Sequence, residues 1–460
     1  MSRGLGDVYK RQGKYGVARL ANSISAETKN SEASILVSAG DMFQGTALSN
    51  YDHGKTVIDI MNKMKFDAMV IGNHEFDWGY EEIYKYVDGN DDNGEATFPF
   101  LGCNIIEKST GQRPVGIDAY QIIKRGGLKI AIVGYMGEGN ESDIAEAMIK
   151  DYEFANPISY IKSTISDLRI NQGVDVVIVS GHEGNGSNQM LASLAGDERV
   201  DAIINAHTHS TYSGTITRSD GVKIPYVQAG SAGEKFGLMK LSIDQNTKKV
   251  TGGTAEVKYN LSKTEDSSIK TIVSNLKEET LPVFGRVIGV ANEYVDRYGA
   301  ADWAATALKE YAITDIAVIN IGGIRAQAFP IEQSTSITVS KIYEIMPFDN
   351  VLKTVDLKGS DVRILVNKSD FIMSSNVYQD RATGLIYING ELLDNDKMYS
   401  VATIDYIFDK PENPFLGGQN ISNTGILFRD ILIQTIEKDG TIIIPVTVSY
   451  THLTLPTTSR

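Results

Sequence analysis

A two-domain chain of mixed α/β class is what this sequence predicts, on three observations. Short apolar runs bounded by glycine alternate with helical stretches from about residue 13 to 262. A single amphipathic stretch, residues 264–279, follows. A second, shorter alternation then begins near residue 283. The 460 residues are enough for two or three domains, and a composition of 42% hydrophobic and 22% charged residues is ordinary globular. No run of about 18 apolar residues occurs, so no transmembrane helix is expected.

In order, strands are expected at 35–39, 68–71, 129–134, 176–180, 202–205, 224–229 and 237–243, with helices at 56–64 and 156–169. Ile269, Ile272, Val273 and Leu276 recur at helical spacing, and Pro282 is expected to stop that helix. Residues 263–282 therefore read as a linker helix between a domain at 13–262 and a smaller one at 283–446. The second domain shows a helix at 302–311 and strands at 316–320 and 351–357. Residues 1–12 lack apolar periodicity and the Thr-rich 447–460 differ from the rest, so both ends read as non-native and are set aside.

The formal charge of −14 argues against a nucleic-acid polymer as partner, since such binders carry a basic stripe. It permits a small anionic substrate, because a metal centre can invert the local field. The single cysteine, Cys103, allows no intrachain disulfide and no cysteine zinc site, and beside an apolar run it reads as a buried, inert thiol.

Four of the six histidines follow apolar runs. The run 35–39 leads into Gly40-Asp41, and 68–71 into Gly72-Asn73-His74-Glu75-Phe76-Asp77. The run 176–180 leads into Gly181-His182, and 202–205 into His207-Thr208-His209. Strand-end loops on a rigid sheet are where α/β proteins gather functional groups. One carboxylate, one amide and four imidazoles at four strand ends make a metal site. Taken singly, each histidine would as readily be structural; together and in this order they are not. His53, in Asp52-His53-Gly54, has no such context and reads as a solvated loop residue. His452 is assigned no role.

The order Gly-Asp, Gly-Asn-His-Glu, Gly-His, His-x-His resembles that of the calcineurin-like metallophosphoesterases. With a further C-terminal domain, the chain looks like the bacterial 5′-nucleotidase and UDP-sugar hydrolase branch. The resemblance implies a β-sandwich flanked by helices (αββα), a linker helix and a smaller α/β substrate-binding domain. It also implies two divalent ions, zinc, manganese or similar, that clamp a phosphoryl group and activate a hydroxide. Asp41 would bridge them; Asn73, His182 and His207 would complete one site, and His209 would serve the other. His74, oriented by Asp77, would protonate the leaving oxygen.

That family also carries an Asp-x-His ahead of the turn seen here as Gly13-Lys14-Tyr15-Gly16. No histidine precedes His53, and Asp7 has no histidine partner. The first metal site is thus expected to be incomplete, the chain to be N-terminally truncated, and hydrolysis to be slower than with the opening strand restored.

In the second domain Asn320-Ile321-Gly322-Gly323-Ile324-Arg325 resembles the family's Asn-x-Gly-Gly-x-Arg loop, where glycines admit a ligand and Arg325 can pair with an anion. Phe348 and Asn350, in Met346-Pro347-Phe348-Asp349-Asn350, match its base-stacking segment, and Tyr406 matches the second stacking ring. Two departures bear on the nucleoside. The Gly-Gly-Asp that contacts ribose appears as Gly417-Gly418-Gln419. Asp296-Arg297-Tyr298-Gly299 is altered, which leaves Arg297 as a second anion contact only by position.

The favoured reading is a 5′-nucleotidase-type phosphoesterase with a small nucleotide substrate and no obligate protein partner. Alternatives are a 2′,3′-cyclic-nucleotide phosphodiesterase, a UDP-sugar hydrolase, a thiosulfohydrolase or a non-catalytic nucleotide binder. The resemblance implies an extracytoplasmic location. A dinucleotide dehydrogenase is disfavoured, since Gly181-His182-Glu183-Gly184-Asn185-Gly186 has the wrong glycine spacing.

Overall fold

The computed structural model describes residues 16–31 and 33–445. Asp7, residues 13–15 of the glycine turn, both end segments and His452 lie outside the described residues. The chain divides into two units, Met1–Phe284 and Gly285–Arg460.

The first unit is a four-layer αββα sandwich. One sheet pairs Val37–Ser38, Ala68–Val70, Phe100–Leu101 and Ile117–Asp118, all parallel. The other has the order Thr211–Thr217, Lys223–Ala229, Ala202–Ile204, Val176–His182, Leu128–Met136, Tyr120–Arg125. Its four inner strands are parallel and its two outer ones antiparallel. Side chains alternate as strand geometry requires. Ala68 and Val70 face Leu101, Ile123 and Ile132 between the sheets. Met69 and Ile71 face the opposite way, into a core with Val57, Ile60 and Leu20 from the helices Lys55–Met64 and Val17–Thr28. On the far side, Ala131, Val133, Val177 and Val179 pack against Ile161, Ile165 and Leu168 of Pro157–Ile170. Burial on both faces is why these strands read as continuous apolar runs.

The helix expected as a linker belongs to the first unit. It spans Ser267–Phe284, and its Ile269 and Val273 lie in the core shared with Val17 and Val57. Nor does Pro282 stop it. The missing N–H falls in the final turn, and buried Phe284, whose ring meets that of Tyr51 edge-on at 5.9 Å, holds that turn in place.

The second unit is built on a five-stranded sheet in the order Phe371–Met373, Ile316–Asn320, Met398–Ile404, Val351–Lys358, Gln419–Leu427. Only the Ile316–Asn320 and Met398–Ile404 pair is parallel. Its first helix starts earlier than expected, at Arg297–Ala312, because Asp296 caps it by accepting the Gly299 N–H at 2.7 Å.

Candidate active site

Four parallel-paired strands of the first unit end in loops that meet. The ligand atoms of Asp41, His182 and His207 all lie within 4.8 Å of one another. His182 Nε2 is 3.2 Å from Asp41 Oδ2 and 3.1 Å from Asn73 Oδ1, and His207 Nδ1 is 3.2 Å from the same Asn73 oxygen. Asp41, Asn73 and His182 are buried; His207 is partly so. His209 lies outside this three-residue group.

The loops approach too closely for side chains at two places. A Cβ on Gly40 would sit 2.7 Å from His182 Nδ1 and from the Gly72 nitrogen, and one on Gly72 would sit 2.5 Å from Asp41 Oδ1. Asp41, His207 and His209 have φ of 60°, 64° and 57°. Left-handed backbone costs a non-glycine residue about 1–2 kcal/mol. Such strain concentrates where geometry serves function.

The donor set fits a divalent cation. His182 Nδ1 lies 2.7 Å from the Ala39 carbonyl oxygen, which can only accept, so the proton is on Nδ1. Nε2 then offers a lone pair toward a carboxylate and an amide oxygen, an electron-rich crowd of mixed N and O donors. The same crowd attracts protons. Burial opposes a charged His182 ring, but Asp41 and the Ala39 carbonyl outweigh it, and its pKa lies above the ordinary histidine value. His207 moves the other way, lowered by burial and then by His182.

Glu75 holds the two acidic loops together. Its Oε2 accepts from the backbone N–H of Asp41 at 2.8 Å and Gly72 at 2.7 Å. Its Oε1 accepts from Met42 and from Phe43. It is fully buried, which pushes its carboxyl pKa up, as does the charge of Asp41; the backbone donors pull the other way. The next-door His74 donates its backbone N–H to Asp41 Oδ1 at 3.0 Å, and its Nδ1 lies 2.8 Å from Asp77 Oδ2. That leaves Nε2 as the ring's other working nitrogen. Both side chains are largely buried.

His53 is less solvated than expected. Its ring stacks on Trp78 at 4.6 Å and its Nδ1 is 3.2 Å from Glu82, because the turn before Lys55–Met64 lays it against that surface. Cys103 is buried, and burial pushes its thiol up to about 12, which makes it inert at neutral pH.

In the second unit Asn320 ends its strand with a buried Oδ1 that has no hydrogen-bond partner among the described residues. A Cβ on Gly323 would lie 3.4 Å from that oxygen. Arg325 sits with its guanidinium 5.4 Å from the Phe348 ring centre. Arg297 is placed differently from the expected anion contact. Its Nε and Nη2 donate to the Ile324 and Ile321 carbonyls at 2.7 and 2.8 Å, so it braces the Gly322-Gly323 loop from the first helical turn. Asn350 is buried and donates to Asp405 Oδ1 at 3.0 Å, tying its segment to the turn that carries Tyr406. Lys410 Nζ lies 3.0 Å from the Tyr406 hydroxyl and 4.1 Å from its ring centre. Gly417 closes a 3-10 turn, Gly418 packs directly on Val355, and Gln419 begins the last strand.

Sequence reasoning missed Glu75, Asp143, Asp405 and Arg429. Asp143 Oδ2 faces His207 Nε2 at 3.6 Å. Arg429 donates to the Pro347 and Phe348 carbonyls and pairs with Asp349, fixing the segment that bears Phe348. Only Glu75 had a signal, its place beside Asn73 and His74.

A family model for calcineurin-like phosphoesterases matches residues 4–211, and one for the 5′-nucleotidase C-terminal domain matches residues 273–416. The chain belongs to the calcineurin-like phosphoesterases that carry a 5′-nucleotidase C-terminal domain. Among relatives, this phosphoesterase-family chain is 30% identical over 396 residues to endonuclease YhcR of Bacillus subtilis (strain 168), which covers 78% of this chain. It is 26% identical over 387 residues to the snake venom 5′-nucleotidase of Crotalus adamanteus, which covers 76% of this chain. It spans 31% and 64% of those relatives' own lengths. In fold it matches the 5′-nucleotidase precursor from Thermus thermophilus with a TM-score of 0.77, at 21% identity, over 94% of this chain and 92% of that one.

Proposed function

We propose that this chain is a divalent-metal-dependent phosphoesterase that hydrolyses nucleotide phosphate esters, as a 5′-nucleotidase does. The observation that carries the reading is the meeting of Asp41, Asn73, His182 and His207 at one buried point, with the His74–Asp77 pair starting at the adjacent residue. A divalent cation bound there would withdraw charge from a phosphoryl oxygen and bring the pKa of water toward neutrality. Asp41, Asn73, His182 and His207 would hold one cation, and Asp41 with His209 the second. Among the described residues the donors gather at one point, so the first of these is the firmer. His74, kept in one tautomer by Asp77, would give a proton to the leaving oxygen.

In the second unit Asn320, Gly322, Gly323 and Arg325 would take polar groups of the substrate, and Phe348 and Tyr406 would stack on the base, with Asn350 and Arg297 supporting them. The partially unsatisfied Asn320 side chain supports this, since a buried polar atom without a partner is costly unless a ligand meets it. Two relatives carry names that point different ways, one a nucleotidase and one an endonuclease. The net charge of −14 favours the small nucleotide over a nucleic-acid polymer. Among the described residues no helix is long and apolar enough to cross a membrane. The name of the venom relative supports an extracytoplasmic location.

The test is phosphate release from AMP by EDTA-treated protein, with and without added Mn²⁺ or Zn²⁺, beside chromatographic product analysis for 2′,3′-cyclic AMP, UDP-glucose and single-stranded DNA. Cation-dependent release from AMP that His74→Ala suppresses supports the reading. Equal rates with EDTA and with metal would sink it, and a preference for another of the four substrates would redirect it.

A further inference from the structure

Each of the two imidazoles at the candidate metal centre has one nitrogen turned to the centre and one turned away. For His182 the outward Nδ1 meets the Ala39 carbonyl at 2.7 Å, which fixes Nε2 as the inward lone pair. For His207 the inward atom is Nδ1, 3.2 Å from Asn73 Oδ1, and the outward Nε2 faces the carboxylate of Asp143 at 3.6 Å. Asp143 arrives on a loop that nothing in the sequence marked. The strand Leu128–Met136 runs parallel to Val176–His182 with Met136 opposite His182, so the loop leaves the sheet beside the metal-facing edge. Gly137 N–H and the Asn140 side-chain amide then both donate to the His182 carbonyl, at 3.2 and 2.6 Å. The 3-10 turn Asn140–Asp143 follows at once and carries the carboxylate across to His207. The loop is thus anchored on one candidate ligand while its end addresses another.

We propose that Asp143 is a positioning residue for His207: it takes the proton-bearing Nε2 and leaves Nδ1 as the atom offered to a cation. A histidine that binds metal usually gives its other N–H to a carboxylate or carbonyl, which sets ring tautomer and orientation. Asp143 stands on the outward side of His207 as the Ala39 carbonyl does on His182, at 3.6 Å rather than at hydrogen-bond distance, and would close on Nε2 once a cation takes Nδ1 from the Asn73 oxygen. The carboxylate also adds negative charge beside a residue whose backbone φ of 64° is already in the left-handed region. The inference rests on the metal-centre reading above.

Two measurements on the full chain test it. Competition with a fluorescent chelator gives Zn²⁺ affinity for wild type, Asp143→Ala and Asp143→Asn. Long-range proton–nitrogen NMR of ¹⁵N-histidine protein gives the His207 tautomer in the zinc-loaded state. Asp143→Ala is expected to weaken zinc binding roughly 10-fold to 100-fold, with melting temperature unchanged in EDTA and a loss of the uniform Nε2–H form. Asp143→Asn keeps an oxygen acceptor and should fall between the two. Zinc uptake by wild type with Asp143→Ala indistinguishable in affinity and tautomer overturns this inference alone. Failure of wild type to take up zinc overturns the metal-centre reading and the inference with it.

Discussion

Replacing Glu75 by glutamine tests whether one carboxylate fastens the Asp41 loop to the Asn73 loop. Each of its oxygens takes two backbone N–H groups, from Asp41 and Gly72 on one side and from Met42 and Phe43 on the other. Glutamine has the same shape, but one end becomes an NH₂. Whichever way it turns, two backbone donors lose their acceptor and face another donor. A buried N–H left without its acceptor costs about 1–3 kcal/mol, so the gross loss is roughly 2–6 kcal/mol. A neutral amide is cheaper to bury than a carboxylate, which leaves about 3 kcal/mol net. In a unit of this size each kcal/mol moves Tm by about 2–4 °C, so the shift should be about 6–12 °C downward. Calorimetry at neutral pH in excess EDTA reads it without any contribution from bound cation. A Glu75→Gln protein melting within about 2 °C of wild type would show that the four donors are satisfied some other way, and the clamp would be refuted.

Other outcomes follow from the same geometry. Gly72→Ala adds a methyl 2.5 Å from Asp41 Oδ1 and 2.7 Å from His182 Cε1, and should leave a folded protein that binds Zn²⁺ roughly 10-fold or more weakly in chelator competition. His74→Ala should lower kcat for AMP by roughly 10²-fold to 10⁴-fold with zinc affinity unchanged, which separates the proton donor from the ligands. Phe348→Ala and Tyr406→Ala should each cost AMP roughly 5-fold to 150-fold in kcat/KM, as base stacking is worth about 1–3 kcal/mol, while leaving glycerol phosphate untouched. Asp405 has its carboxyl pKa raised by burial, against the pull of Asn350, the Tyr406 and Val351 N–H groups and the charge of Lys353. A raised folded pKa means stability is present below the unfolded value and lost as pH climbs through the folded one. The bonds from Asn350 and Tyr406 both use Oδ1, which an asparagine oxygen can replace. Asp405→Asn should therefore melt higher than wild type at neutral pH and equally at roughly pH 3, as followed by circular dichroism.

What the sequence made legible was whatever had a local period. The runs at 176–180 and 68–71 were readable because both faces of those strands are buried, and their ends pointed to His182 and Asn73, as the ends of 35–39 and 202–205 pointed to Asp41 and His207. Apart from the place of Glu75 beside Asn73 and His74, the supports of the candidate site residues were not readable, since they are made across the chain. Glu75 reaches back to Asp41, Asp143 reaches forward to His207, and Arg429 reaches back to Pro347. None of these pairs shares a helix turn or a strand alternation. Arg297 shows the other side: the resemblance offered it only as a second anion contact, and the carbonyls that take its Nε and Nη2 come from a loop 24 to 27 residues on, which no local pattern shows. Pro282 was read as a stop because propensity was weighed without Phe284, whose burial extends the helix past it.

Room to vary is unevenly shared between the glycine-bordered strand ends of the first unit and the candidate substrate loops of the second. Gly40 and Gly72 admit no methyl group without striking a neighbouring loop, and Gly181 would drive one into Tyr135. Gly417 in the C-terminal unit meets nothing within 4 Å, and Gly322 meets only the Asn320 side chain at 3.1 Å. Random mutagenesis selected for new leaving groups should accordingly harvest its winners around Gly322 and Gly417, and leave the glycine-bordered strand ends almost untouched.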